Sequence, residues 1–354
     1  MYIAIAILVF GFLIIIHEFG HFMAAKAFNV RVVEFSVGMG PRLLKKQGKE
    51  TLFSLRALPI GGSCLMEGED EETQDPRSFT AQTRWKRFII LVAGSFMNFL
   101  TGAVIVLILT SQAVSFGSND LAAFAGDFPH QGEAGLMVGD KIISINGERI
   151  YYSNDFITFM EFAGGKPVDM VILRNGGKIA LNNLQLRKEI YPDYSETEPK
   201  YGVSFERISA TFGEKLKYTA YQTMNFVRMT RVSFAMLFSG SAGLKDLSGP
   251  VGIVSAIHEE IGKDEKATTT EKLYSVANFS AFIAVTLAVM NLLPIPALDG
   301  GRIFFMIVTF FIEKIIRRHV DPKYEGYIHT AGFMLLLGLM AVVMVNDVVK
   351  LFNG

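Results

Sequence analysis

The chain has 354 residues with 34 basic and 34 acidic side chains, so its formal net charge is zero and bulk charge argues against a nucleic-acid partner. Half of the residues are hydrophobic, 30 are Phe and 16 are Met, and the mean hydropathy is +0.34, which implies a membrane protein with a water-soluble portion; four apolar stretches of roughly twenty residues make a polytopic α-helical membrane protein the expectation. Cys64 is the only cysteine, which excludes an internal disulfide and a cysteine-built metal site and leaves His, Asp and Glu as metal ligands.

The first predicted element, over 1–27, is an uncharged apolar run from Tyr2 to Ile16 that passes into His17, Glu18, Phe19, Gly20 and His21 before the apolar pattern resumes. No Lys or Arg precedes it and no small-residue cleavage site follows, so a retained membrane span is expected rather than a cleavable signal. On a helix the i, i+4 spacing puts His17 and His21 on one face, able to bind one Zn²⁺ through two imidazoles, with Glu18 beside them as general base. Ionisable residues at membrane depth are costly, so three within five positions point to function rather than packing. A helix end with histidines at headgroup level is the plainer alternative.

The region 28–87 is expected to be cytoplasmic and to read as strands: Val32–Val37, Arg42–Lys46 and Thr51–Leu55, separated by glycine-containing turns. An apolar run from Leu58 to Met66 follows, interrupted by Gly61 and Gly62. A second span is predicted over 88–112. It carries Gly94, Ser95 and Asn98, where small residues permit close helix contact and an amide needs a partner. Asn98 has two readings, a donor to a developing oxyanion or an interhelical structural bond.

A polar portion follows, expected to hold an extracytoplasmic domain over 113–206. Its Gly132–Leu136 and Val138–Glu148 stretches resemble the core of a PDZ domain, and hairpin turns are expected at Asn146, Gly147 and at Asn175, Gly176, Gly177. No carboxylate-binding loop is evident there, so peptide capture and a steric gate are both open. Over 207–276 an amphipathic juxtamembrane helix, Thr211 to Ser239, and a linker are expected. Lys215, Lys217, Arg228 and Arg231 argue against a further span and for a helix lying on the outer leaflet. Ser248–Gly252 reads as a reshaping loop or a plain linker.

The third span is predicted over 277–301 and the fourth over 327–348, joined by a cytoplasmic loop over 302–326. Basic residues crowd the loops after the first and third spans, so both termini are expected to face outward. Spans one and three then run the same way, and Asp299 in NLLPIPALDGG arrives near the depth of His17 and His21. It could complete a His, His, Asp site with a fourth position for water. Pro294 and Pro296 interrupt the helix there, and irregular backbone at that depth is tolerated where it lines a wet cavity or is buried in protein. The alternative is a kinked helix end capped by Asp299. The histidines at 130, 258, 319 and 329 lack ligand spacing and are treated as ordinary.

HEFGH in the first span, the small-residue and Asn98 pattern in the second and NLLPIPALDGG in the third resemble the site-2 protease family of intramembrane zinc metalloproteases, in the bacterial branch that includes the regulator-of-sigma-E protease. The resemblance covers nearly the whole chain, with Gly94-Ser95 standing where many relatives have Gly-Pro. It implies one catalytic Zn²⁺ held by His17, His21 and Asp299, Glu18 as base, and Asn98 with Asn291 near the bound substrate. It also implies a substrate site formed by Gly61, Gly62, Ser63, Cys64 and Leu65 on an edge strand, together with Asn291, Pro294 and Pro296. The expected substrates are single-span proteins of the bacterial cytoplasmic membrane, such as anti-sigma factors or signal-peptide remnants, already trimmed by an upstream site-1 protease. Two other classes compete. A metal transporter would need polar residues along a complete path, and the spans hold few outside this site. A membrane adaptor would have no use for Glu18 beside two ligands.

Overall fold

The computed structural model describes residues 2–69, 73–191, 199–240, 268–317 and 323–353. In chain order the elements are α1 (Tyr2–Ala27), β1 (Val32–Gln47), β2 (Leu52–Met66), α2 (Arg84–Ser111), β3 (Ser115–Phe124), β4 (Lys141–Ile145), β5 (Glu148–Arg149), α3 (Ser153–Ala163), β6 (Val168–Arg174), β7 (Gly177–Leu184), β8 (Val203–Ser209), α4 (Phe212–Phe238), α5 (Thr269–Asn291), α6 (Asp299–Ile316) and α7 (Lys323–Asn353). Four helical segments are long and apolar enough to cross a bilayer: Ala4–Ala27, Arg84–Ser111, Thr269–Asn291 and Gly326–Asp347. The chain is a polytopic membrane protein. It divides into one unit of 1–111 with 217–354 and a second of 112–216.

In the spanning unit, α1 and α2 approach closely because small residues face each other. A methyl added at Gly20 would lie 2.4 Å from the Ala93 carbonyl oxygen, well inside van der Waals contact. Beside this crossing, β1 and β2 pair antiparallel, with Val32 opposite Met66 and Phe35 opposite Cys64. Glu34 to Val37 are also registered against Leu52 to Leu55, so β1 bends back into the arms of β2. Gly38 and Gly40 make that bend at φ values of +86° and +85°, a region that side chains with a Cβ avoid. Ala25, Val30, Val32, Cys64, Met66, Phe79, Ile90 and Leu91 form the core that fastens the sheet to α1 and α2. Cys64 is therefore a packed residue, and burial pushes its thiol pKa up, away from the reactive thiolate.

Glu34 is almost fully buried at the sheet's bend. It accepts from Arg42 at 2.6 and 3.1 Å, from Ser54 at 2.6 Å and from Arg56 at 3.0 Å. The Arg42 guanidinium, aided by Ser54 and Arg56, holds its carboxyl at about 2, well below the usual range.

The unit 112–216 holds a six-stranded sheet in the order β7-β6-β4-β3-β8, with β5 paired to β4. Leu121, Ile142, Ile145, Phe156, Met160, Met170 and Ile172 are fully buried in it. The expected turns are present: Asn146 and Gly147 join β4 to β5, and Asn175 and Gly176 join β6 to β7, all with positive φ.

Three expectations about the helices are corrected. The third span begins earlier and ends at Asn291 rather than near 301, because Thr268 and Glu271 cap each other's turn at the start and the proline-containing segment stops the helix at the end. The stretch 302–326, expected to be a loop, is largely the helix α6, whose Phe304, Ile307, Phe311 and Ile315 are exposed. The helix expected to lie on a leaflet, α4, packs against two spans instead. Its Thr219 shares a hydrogen bond with Thr110 at 2.7 Å, Thr230 shares one with Thr286 at 3.1 Å, and Phe226 is buried with Val106, Ala281 and Val285. These contacts recur along one face of α4, which a polar threonine stripe conceals from a reading based on apolar periodicity. The loop proposed at 248–252, together with positions 258 and 319, lies outside the described residues.

Candidate metal centre

His17 and His21 stand one turn apart on α1, about 15 Å and about 9 Å before its C-terminal end at 1.5 Å per residue. Both are buried. The third group arrives on an irregular backbone. After α5 ends at Asn291, short turns close from Leu293 to Met290, from Ile295 to Leu293 and from Leu298 to Ile295, and Asp299 then opens α6. Gly300 and Gly301 allow this: a methyl on Gly300 would sit 2.3 Å from the Leu292 carbonyl, and one on Gly301 would sit 2.3 Å from the Ile295 oxygen.

The three ligand atoms form a nearly equilateral triangle. His17 Nε2 lies 3.2 Å from His21 Nε2 and 3.1 Å from Asp299 Oδ2, and His21 Nε2 lies 3.3 Å from the same oxygen. A tetrahedral zinc ion with bonds of about 2.0–2.1 Å separates its ligands by about 3.3 Å. The protonation pattern also calls for a cation. His21 Nδ1 lies 2.8 Å from the Ile90 carbonyl, which accepts its proton and leaves Nε2 as a bare lone pair. Asp299 Oδ2 is buried and takes no hydrogen bond. Acceptors that face one another without donors repel, and a metal ion resolves that conflict. His17, His21 and Asp299 are the one such cluster among the described residues.

Around this triangle α2 contributes Gly94 and Asn98. A methyl on Gly94 would fall 2.4 Å from His21 Nε2 and 2.8 Å from His17 Nε2, so only glycine lets α2 pass the ligand atoms. Asn98 Nδ2 and Asn291 Nδ2 each lie 3.5 Å from His17 Nδ1. Asn98 Oδ1 is buried without a partner, and turning that amide over brings it to the His17 Nδ1 proton. On the other side of α1, β2 crosses Glu18. A methyl on Gly62 would meet Glu18 Cγ at 3.2 Å and Ile14 at 3.3 Å. Ser63 bonds Ser36 at 2.8 Å, Leu65 is exposed, and Gly61 turns at φ +87°. Pro296 packs beneath Gly301 and against Gly332. Arg302, in the first turn of α6, pairs with Glu69 at 3.0 Å just beyond β2.

Two positions escaped the sequence reading. Gly94 was read only as a small residue for helix contact, although its place one turn before Asn98 could have marked it as the gap through which the imidazoles reach. His329 was set aside as lacking ligand spacing, yet it accepts a hydrogen bond from the Ala297 N–H at 3.0 Å. An ionisable residue in an apolar span was the available signal.

Residues 5–339 match the family described as Peptidase family M50. The chain belongs to that family. A Clostridium acetobutylicum protein named as a zinc metalloprotease is 38% identical over 99% of this chain and 98% of its own length. The zinc metalloprotease RasP of Geobacillus kaustophilus is 28% identical over 98% of this chain and 97% of its own, and the regulator of sigma-W protease RasP of Bacillus subtilis is 27% identical over 98% of each. This M50 chain is thus a membrane zinc metalloprotease, and the ligand triangle fits its catalytic metal.

Proposed function

We propose that this M50 protease hydrolyses peptide bonds in or near the transmembrane segments of single-span proteins, with His17, His21 and Asp299 holding the zinc. The observation that carries the reading is the convergence of three acceptor atoms, spaced for one tetrahedral ion, beside Glu18 on a membrane-spanning helix. Zinc, when bound, supplies Lewis-acid polarisation of the scissile carbonyl and eases ionisation of water. Glu18 takes the proton from the attacking water and returns it to the leaving amine. The missing side chain at Gly62 lets β2 lie against Glu18, which excludes bulk water from that side. Asn98 holds the His17 ring across the α1–α2 contact, and Asn291, at the end of α5, is placed to donate to a substrate oxygen.

Substrate recognition follows from backbone chemistry. A helical peptide hides its carbonyls and must be unwound before attack, which leaves its hydrogen-bonding groups in need of partners. Within the described pairings, Gly62 to Met66 bond only to β1, so residues 61–65 offer an edge for an extended substrate strand. Pro294 and Pro296 shape the opposite wall. The unit 112–216 is a PDZ-like domain on the extracytoplasmic side, acting as peptide receptor or size filter, and both chain termini lie on that side. The sigma-W regulator name of the Bacillus subtilis relative supports anti-sigma factors as the substrate class, after trimming by an upstream protease.

The test is cleavage of a trimmed single-span protein in lipid by wild type and Glu18→Gln, with bound zinc measured for both. Product from wild type alone, at equal zinc, is the expected result. Product from both, or zinc retained after His17→Ala and His21→Ala together, would overturn the assignment.

A further inference from the structure

We infer that His329, with Gly332 one turn on, is a positioning residue for Asp299: from the last span it fixes the left-handed turn at Ala297 and so sets where the third ligand oxygen lies. The inference rests on the reading of Asp299 as a zinc ligand. It begins from the backbone between α5 and α6. Pro294 and Pro296 have no N–H, while the N–H groups of Leu293, Ile295 and Leu298 are spent on turns within the chain. Ala297 stands at φ +78°, in a region that residues other than glycine rarely adopt, so the surroundings must hold it there. Its N–H turns out of the segment and donates to His329 Nδ1 at 3.0 Å.

Because Nδ1 accepts, the ring is neutral with its proton on Nε2. The imidazole is 9% exposed and packs edge-on against Phe305, centroids 5.7 Å apart, in the second turn of the helix that Asp299 opens. His329 therefore touches both flanks of Asp299, the turn before it and the helix after it. Gly332 completes the clamp. A methyl there would lie 2.3 Å from Pro296 Cβ and 3.0 Å from its carbonyl carbon, so α7 presses on the residue just before Ala297. His329 is outside the ligand triangle. With Nδ1 engaged by Ala297, it acts through backbone rather than by binding metal. The fourth span, little of which is otherwise buried, thereby gains a role in the metal site.

The experiment uses the full-length protein in lipid, with zinc affinity measured by chelator competition and the visible spectrum recorded after loading with Co²⁺. His329→Phe, which keeps the ring but removes the acceptor, is expected to weaken zinc by about 10–100-fold and to alter the cobalt spectrum. His329→Asn, whose Oδ1 is attached to Cγ as Nδ1 is and can accept from Ala297, is expected to recover most of that loss. Wild-type affinity in His329→Phe, or equal losses in both variants, would overturn the inference. Should His329→Phe fail to fold, Gly332→Ala serves instead: it is expected to weaken zinc by displacing Pro296, and wild-type affinity there would overturn the inference. Asp299→Ala, run alongside, separates the two claims. If it alone keeps wild-type affinity, the ligand assignment has failed; if it loses zinc while the His329 and Gly332 variants keep it, only the positioning role has.

Discussion

The proposed zinc shell is assembled from two kinds of backbone. His17 and His21 come from an unbroken helix, where spacing alone puts them together, whereas Asp299 follows a proline-containing break and depends on contacts from three other places. Those contacts are the Leu292 and Ile295 carbonyls over Gly300 and Gly301, the Ala297 bond to His329, and the Arg302 pair with Glu69. The helical half is rigid by local hydrogen bonding. The broken half is rigid by tertiary support, so the two should fail differently when perturbed.

The largest effect belongs to the chemistry both halves serve. Glu18→Gln should lower cleavage by about 10²–10⁴-fold while bound zinc stays at the wild-type level, because the substitution removes a base and not a ligand. Steady-state cleavage of a trimmed substrate and metal analysis of the same sample check it. Next comes the helical half. Gly94→Ala places a methyl on the imidazole nitrogens, and about 1–3 kcal/mol of overpacking should appear together with zinc loss of at least about tenfold. Thermal unfolding with and without added zinc separates the two: the gap between wild type and variant should widen when zinc is supplied.

The smallest effect sharpens the contrast by leaving the zinc site alone. Glu34 is held at about 2 by Arg42, Ser54 and Arg56, below its unfolded range near 4.5. The lowered folded value means its contribution is fully present above about pH 4.5 and is lost as pH falls toward 2. Glu34→Gln should cost about 2 kcal/mol at pH 7 and flatten the acid limb of the unfolding profile, with zinc affinity unchanged. A shift in zinc affinity would show that the sheet and the metal site are one cooperative structure.

The same contrast explains what could be read from the chain. His17, Glu18 and His21 announce themselves by spacing, and Asp299 followed from span direction, since helices that run in parallel carry equal depths to equal positions. The β1–β2 strands and the Asn-Gly turns were legible because period-2 alternation and positive-φ residues are local signals. The end of the third span at Asn291 was misplaced because apolar residues continue through Leu298 while the prolines have already ended the helix. α4 was given to the membrane surface because Lys215, Lys217, Arg228 and Arg231 argued against a span, and its buried threonines gave no counter-signal, since their partners Thr110 and Thr286 are remote in sequence. His329 and Gly94 were undervalued for the same reason: what they touch lies on other helices.

The central claim is that two imidazoles and one carboxylate hold a single zinc ion. X-ray absorption at the zinc edge on purified, lipid-embedded protein tests it most directly. Nitrogen and oxygen scatterers at about 2.0–2.1 Å with the outer-shell signature of two imidazoles, falling to one in His17→Ala, is the result predicted. A sulfur shell at about 2.3 Å, or an imidazole signal unchanged in His17→Ala, would contradict it.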